Sequence, residues 1–553
     1  MDTFYEQIVS SYFEFNPLAA HSLGFHEYDG KLPDISLSAI ENRLKECRQQ
    51  LKKLEKKKIS DDKIEMYHYE LIKNTLLREI FDLDTRKEYL DNPAVYIFPL
   101  AMIEMSYTSR NFAPKIQRVR SIIELQKGVP QLLENGLTNL ESKLAKPKIR
   151  MSIQFGKGIR NYWSDKLIEF VSEIGDEKVI QEWSEVNLLA IEALDRYIKV
   201  LNDDYLPQAH SNFALGKDNF LTLLKYEEGV ELSAEKLIKV GEKDLNRNYK
   251  ALVALGKEYG KLEDLLDDIS LDQPDPNDLL ETSTQGLKRI RDFIISSKFV
   301  TLPTRKQCKV IHTPEFMRAF ASGAMNTPGP FESGEASQAY FWITPPDPEL
   351  EGDKLTEYMK FFSYPMLEIL AIHEVWPGHY LQLLYNNKSE DRIAKMFARS
   401  TSMIEGWAHY TEEEIIKAGY NADGTVLKEK IKGAQLLKAL MRDARYLSAV
   451  NMHCFGMTLE ESEKLFHEKA FMSSIKSKLE ANRGTMDPMY LNYTLGKLMI
   501  YKLRADYKKE LKAKKKKFSL RKFHNQLLSY GSPPITVLRK LMLDNPGGPS
   551  DVL

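Results

Sequence analysis

The sequence predicts a mainly α-helical protein with one small β-sheet. Three observations lead there. Apolar residues recur at helical spacing through most of the chain. One stretch, residues 298–346, replaces that period with short aromatic and β-branched runs between Pro and Gly. Hydrophobic residues make up 43% of the 553, enough for a large folded core and too many for a disordered or fibrous chain.

The elements follow in order. Residues 39–57, AIENRLKECRQQLKKLEKK, carry an apolar stripe among charges. Similar patterns run through 62–88, 115–144, 176–201 and 234–260, with no solenoid period. LDQPDPND, 271–278, is a punctuated turn that places Pro276 just inside the next helix. In 298–346, KQCKVIHT and QAYFWITPP are the strand candidates, and NTPGPFESGE between them is a loop by composition. From about 354 the chain is helical again to near 540, where SYGSPP interrupts it. It reads as a single unit over 1–553, with a helical part over 1–297, the sheet over 298–346 and a second helical part over 347–553.

Composition bounds the partners. Lys plus Arg number 78 against 79 Asp plus Glu, a net charge of −1 that gives no reason to expect nucleic acid. The Lys-rich runs at Lys52–Lys58 and Lys508–Lys517 read as solvated helix faces or ends, where Lys suits the last turn. Cys47, Cys308 and Cys454 are odd in number and far apart, so neither a disulfide framework nor a CxxC metal knuckle is expected. MDTFYEQIVSSYFEF lacks the basic start and apolar core of a signal peptide, and no apolar run approaches the roughly 18–20 residues of a membrane span. These features predict a soluble, cytoplasmic protein with no membrane partner; the oligomeric state is not legible.

The informative stretch is AIHEVWPGHYLQ, 371–382. Histidine is scarce, with eleven in the chain, yet His373, His379, His409 and His453 fall in one region. His-Glu followed by a second His is the arrangement of zinc peptidases: two neutral imidazoles hold the metal, and the Glu beside the first activates the attacking water. The usual spacing is HExxH, because residues i and i+4 share a helix face. Here two residues are added. On an unbroken helix, a six-residue step turns His379 about 120° away from His373. Pro377-Gly378 offers a way out, since Pro breaks the ladder and Gly accepts a looped-out bulge. By itself the pattern also fits two surface or helix-capping histidines. Downstream, in MIEGWAHYTEEE, 403–414, Glu405, His409 and Glu412 share one face of a helix whose other residues are apolar. A carboxylate on a buried helix needs a cation or hydrogen bonds. Glu405 is the candidate third ligand, and His409 is an alternative ligand or a residue orienting a carboxylate. A salt-bridged structural Glu is the plainer alternative.

At this point the chain resembles a known family, the bacterial and archaeal domain-of-unknown-function family eight-eight-five, generally grouped with the gluzincin metallopeptidases. The resemblance covers nearly the whole chain. NPLAAHSLGFHEYDGKLPD, 16–34, looks like its opening segment, and GPFESGEASQAYFWITPPDPE, 329–349, like its sheet segment. HEVWPGHYLQ, 373–382, matches its HExxPGH signature. EGWAHYTEE, 405–413, and YLNYTLGKLMIYKLR, 490–504, look like its EGWA and Tyr-x-x-Gly helices. The resemblance implies a large helical gluzincin-like fold with the small sheet beside the active-site cleft. It implies His373, His379 and Glu405 as ligands to one Zn²⁺ and Glu374 as general base. Tyr493, at the Tyr of Tyr-x-x-Gly, is by analogy an oxyanion donor; an ordinary packed tyrosine is the alternative. RYLSAVNMH, 445–453, resembles a segment that in many members carries an Asp and a Gly where this chain has Ala449 and Asn451, so no role for that Asp carries over. Arg445 and His453 remain, as a candidate substrate contact and a second candidate oxyanion donor, with a buried structural His as the alternative for His453.

The implied activity is zinc-dependent hydrolysis of short peptides. An edge strand near Tyr340–Thr344 is expected to pair with the extended substrate, with Tyr340 and Trp342 as contacts. Two other readings stand beside it: hydrolysis of a non-peptide amide or peptide-like metabolite by the same machinery, and a helical binding protein that kept the fold without the chemistry.

Overall fold

The computed structural model describes residues 3–314, 318, 322–421 and 428–553, leaving out the side chains of residues 104 and 105. Parts of the expected sheet region (315–317 and 319–321) and of the C-terminal helical region (422–427) lie outside the described residues. The protein is mainly helical with one small sheet, as its periodicity predicts.

The five expected N-terminal helices form at Leu37–Leu54, Lys63–Phe81, Lys115–Asn139, Glu177–Val200 and Ala234–Tyr259. Their starts follow local chemistry. Ser36, Asp176 and Ser233 cap three of them by accepting from backbone N–H groups of the first turn. Pro276, expected just inside the next helix, opens a short 3₁₀ turn that leads directly into the Leu279–Ser297 helix.

The chain divides into two compact units. One comprises residues 1–59, 72–213 and 328–338; the other comprises 60–71, 214–327 and 339–553. The chain enters each unit more than once, so no single composition shift marks a boundary. In the first unit the core lies among the Lys115–Asn139, Lys146–Ser164 and Glu177–Val200 helices, around Tyr96, Trp163 and Tyr197.

The second unit holds the sheet and every residue of the HE…H…E set. Its long helices, Ala234–Tyr259, Thr401–Lys417, Lys428–Phe455 and Asn492–Ala513, pack together around a buried polar network. Lys497 is fully buried and pairs with Asp244 at 2.5 Å. Asp443 accepts from Asn248 Nδ2 (2.7 Å) and Thr494 Oγ1 (2.9 Å). Buried together across the Ala234–Tyr259, Lys428–Phe455 and Asn492–Ala513 helices, these groups depend on one another for partners, so the network helps specify how the helices align. Glu228 plays a similar part at the helix ends. Its buried carboxylate accepts from Ser402 N (3.0 Å), at the start of the Thr401–Lys417 helix, and from Asn492 Nδ2 (3.1 Å), at the start of the Asn492–Ala513 helix.

The sheet has three strands, β1 (Lys309–His312), β2 (Gly323–Asn326) and β3 (Tyr340–Ile343), in the order β1-β3-β2. β1 runs parallel to β3 and β2 antiparallel to it. This corrects the edge-strand expectation. Tyr340 and Trp342 belong to the central strand, where Tyr340 faces Lys309 and Asn326 and Trp342 faces Ile311 and Ala324. A strand paired on both sides has no free backbone edge for a substrate. The edge strands are β1 and β2, and β2 is four residues of small and unremarkable composition that sequence patterning passed over.

Candidate metal centre

The His373 helix, Tyr364–Glu374, begins with Pro365 in its first turn and ends at Glu374. A new helix, His379–Lys388, starts at the second His. The expected bulge is therefore a break and restart. Val375 N and Trp376 N both donate to Ala371 O, and Gly378 N donates to Ile372 O at 3.1 Å. The Trp376–Pro377 peptide is cis. Gly378 is obligatory here, because a Cβ at that position would lie 1.7 Å from the His373 carbonyl oxygen. Trp407 Nε1 donates to Pro377 O (2.8 Å), tying the break to the Thr401–Lys417 helix, which carries Glu405.

The break brings the two imidazoles together. Their ring centroids are 4.7 Å apart at an interplanar angle of 80°. Both Nε2 atoms lie 3.4 Å from Glu405 Oε2. That oxygen is buried and makes no hydrogen bond. Two ligand atoms at about 2.1 Å from one ion, at a tetrahedral angle, stand roughly 3.4 Å apart. Two imidazoles and one carboxylate, closing on a buried oxygen that lacks a hydrogen, are a donor set and spacing that fit Zn²⁺.

A contrasting group lies in the first unit, where His21, His26 and Asp29 also bring ligand-type atoms within 4.8 Å of one another. There every ring nitrogen already has a partner. His21 bonds Asp29 (2.5 Å) and Ser106 (2.6 Å), and His26 bonds Asp29 (3.2 Å) and Glu332 (3.2 Å). That cluster is satisfied without an ion.

Glu374 sits beside the two imidazoles, with ligand-type atoms of His373, Glu374 and His379 all within 4.8 Å. Its Oε2 accepts from Met325 N at 2.9 Å. The register explains why that N–H is free to donate. Thr344 N bonds Ser322 O, so alternate residues of β2 face β3, and Gly323 and Met325 turn their backbone groups outward.

Behind His373 lies a charged support that the sequence did not assign. His373 Nδ1 donates to Glu412 Oε1 (2.7 Å), and Arg442 Nη1 donates to Glu412 Oε2 (2.8 Å). Burial raises the Glu412 pKa, but Arg442 and then His373 outweigh it and hold the carboxyl well below its usual range. His409 sits on this side, with Nδ1 3.5 Å from Glu412 Oε2 and no hydrogen bond at either ring nitrogen. Burial, with Lys497 next, pushes it down to about 3, so it is neutral. His409 lies against the support of His373. Burial and Arg442 push His373 itself down, yet Glu405 and Glu412 bring it up to about 9 in the metal-free protein.

Tyr493 lies at the site. Its ring stacks on His373 at 6.3 Å and 18°, and the guanidinium carbons of Arg445, Arg442 and Arg483 stand 5.0, 5.6 and 5.9 Å from its centroid. Burial and the Glu405 charge raise its pKa, so the hydroxyl keeps its proton at neutral pH and can donate. Arg445 is bidentate to Glu480 (2.7 and 2.6 Å), which places it beside Tyr493 with its own charge already paired. His453 is a correction. Its Nδ1 accepts from Leu215 N (3.2 Å), its Nε2 donates to Gly484 O (2.9 Å), and its ring stacks on Phe220. With both nitrogens committed to backbone, it is a structural tie and no oxyanion donor.

The chain belongs to the family described as Bacterial protein of unknown function (DUF885), whose model matches residues 17–542. No curated protein matches it. The fold is shared with a candidate lipoprotein of unknown function from Shewanella oneidensis, with TM-score 0.81 and 24% identity over 98% of this chain and 99% of that one. A candidate lipoprotein from Colwellia psychrerythraea matches with TM-score 0.79 and 18% identity, over 98% and 97% of the two chains. Identities this low speak for the fold alone. The expectation of a cytoplasmic protein is not supported by these two neighbours, both described as lipoproteins, a class held at a membrane surface by a lipid. Reduced cysteines and the lack of an apolar span do not bear on such an anchor. Among the described residues, no helix is long and apolar enough to cross a membrane.

Proposed function

We propose that this protein is a zinc-dependent peptidase of gluzincin type, with His373, His379 and Glu405 holding one Zn²⁺. The observation that carries this reading is the closure of both imidazole Nε2 atoms, at 3.4 Å, on a buried Glu405 oxygen without a hydrogen bond, with Glu374 alongside. When bound, the ion polarises a carbonyl and makes a neighbouring water more acidic.

The chain's own groups divide the remaining work. Glu374, steadied by Met325 N, takes a proton as the water oxygen attacks the peptide carbonyl carbon. It returns that proton to the amine nitrogen as the C–N bond breaks, leaving a carboxylic acid and a free amine. Tyr493 donates to the oxygen that gains charge in the tetrahedral state. The outward edge of β2 gives the substrate backbone a strand to lie against, the role first expected of β3.

The test is metal content of the purified protein together with cleavage of a mixed peptide library. About one zinc per chain, and cleavage that stops on chelation and returns with zinc, is the expected result. Stoichiometric zinc with no cleaved peptide would instead favour a non-peptide amide as substrate, and protein without zinc or cleavage a binding role.

A further inference from the structure

Two helices present matched charged faces beside this site. On Lys428–Phe455, Lys438, Arg442 and Arg445 stand at i, i+4 and i+7. On Ser474–Met486, Lys476, Glu480 and Arg483 stand at the same spacing. Each arginine has a carboxylate: Arg442 takes Glu412, Arg445 takes Glu480, and Arg483 takes Asp487 at 2.9 Å. The two lysines do not. Among the described residues, Lys438 has no hydrogen bond or ion pair. The carboxylates whose charge it feels, Glu412 and Glu480, are those the arginines hold. Lys476 lies over the Phe361 ring at 3.0 Å, and the carboxylate that bears on it, Glu357, is bonded to Lys360 at 2.7 Å.

Resting on the peptidase reading above, we infer that Lys438 and Lys476 form an anchor for a substrate carboxylate, the free C-terminus of a short peptide. Geometry sets the place. Lys438 is one turn, about 6 Å, along the helix from Arg442, whose partner Glu412 bonds His373. Electrostatics sets the sign. The two ammonium groups are half-buried and within reach of each other's charge. Burial, then Arg442, brings Lys438 down to about 8; burial, then Lys438, brings Lys476 down to about 7. An anion between them relieves that repulsion, whereas the ammonium of a free N-terminus adds to it. The same surplus of positive charge therefore argues for trimming from the C-terminal end.

The test uses the full-length zinc-loaded protein and one peptide made twice, with a free C-terminal carboxylate and with a C-terminal amide. The acid is expected to be cleaved with kcat/KM on the order of 10–100-fold above the amide, the worth of one charged hydrogen-bond pair. That ratio should collapse towards one in Lys438→Gln and in Lys476→Gln. Equal rates on acid and amide, with cleavage intact, overturn the anchor and leave the peptidase reading standing. No cleavage of either peptide overturns both. A preference that survives in both lysine variants overturns the assignment to these residues. An amide whose rate recovers when a Glu is placed near its end overturns the C-terminal source, because the lysines would then be reading a side chain.

Discussion

Glu412 shows how much of a metal centre lies behind the atoms that face the ion. Its carboxylate is fully buried between His373 Nδ1 and Arg442. An ionised carboxylate there keeps a proton of His373 on Nδ1, so that Nε2 is the nitrogen left to give its lone pair to an ion, which is what a metal ligand needs. Glu412→Gln keeps the shape but sets an amide against the Arg442 guanidinium. Zinc affinity is expected to fall 10–100-fold, read by titration against a competing chelator; unchanged affinity would mean that Glu412 only pairs with Arg442. The sequence made Glu412 visible as a carboxylate on the Glu405 face but could not assign its role, since His373 and Arg442 reach it from 39 and 30 residues away. His453 misled for the mirror reason. A histidine in a resembling segment looks chemical until Leu215 and Gly484, both distant in the chain, take its two nitrogens.

The helices were legible because their period is local, and the metal motif was legible because His373, Glu374, Pro377, Gly378 and His379 are neighbours in sequence. β2 was not, because GAMN has neither alternation nor bulk and becomes a strand only through β3. Nor was the crossing that sets Glu405 against Tyr493. The Thr401–Lys417 and Asn492–Ala513 helices touch backbone to backbone at two glycines. A Cβ on Gly496 would lie 1.8 Å from Ser402 O, and one on Gly406 would lie 2.4 Å from the Gly496 Cα. The glycines of EGWA and Tyr-x-x-Gly thus mark one contact, each beside or within a turn of a site residue. Gly496→Ala must push the helices apart, costing about 1–3 kcal/mol and drawing Glu405 and Tyr493 from the imidazoles. A fall in Tm with weaker zinc binding is expected. Gly158→Ala, on a helix with nothing within 4 Å of the added carbon, should leave Tm unchanged or slightly higher. Equal behaviour of the two variants would remove the crossing from the explanation of the site.

The second unit as a whole carries a built-in sensitivity to acid. His524 is fully buried, donating from Nδ1 to Phe299 O (2.9 Å) and accepting at Nε2 from Tyr410 O–H (2.9 Å). Burial pushes it down to about 4. The unfolded chain takes a proton at this residue below about 6.5, and the folded one does not until about 4. Its contribution is therefore fully present above pH 6.5 and is lost as pH falls towards 4, by up to roughly 3 kcal/mol. Stability measured by denaturant between pH 7 and pH 4 should fall less steeply in His524→Gln than in the parent, even though the variant starts lower. Parallel curves would show that His524 is not part of the acid limb.

Zinc stoichiometry and peptide cleavage, measured side by side on the parent, Glu374→Gln and Glu405→Gln, separate the metal from the chemistry. Glu405 supplies the buried oxygen on which His373 and His379 close, so Glu405→Gln is expected to lose the metal and the activity together. Glu374 is bonded to Met325 N and stands beside the imidazoles, so Glu374→Gln should keep about one zinc per chain while the rate falls on the order of 10²–10⁴-fold. Full activity in zinc-loaded Glu374→Gln would contradict the proposed base, and zinc retained by Glu405→Gln would contradict the proposed site.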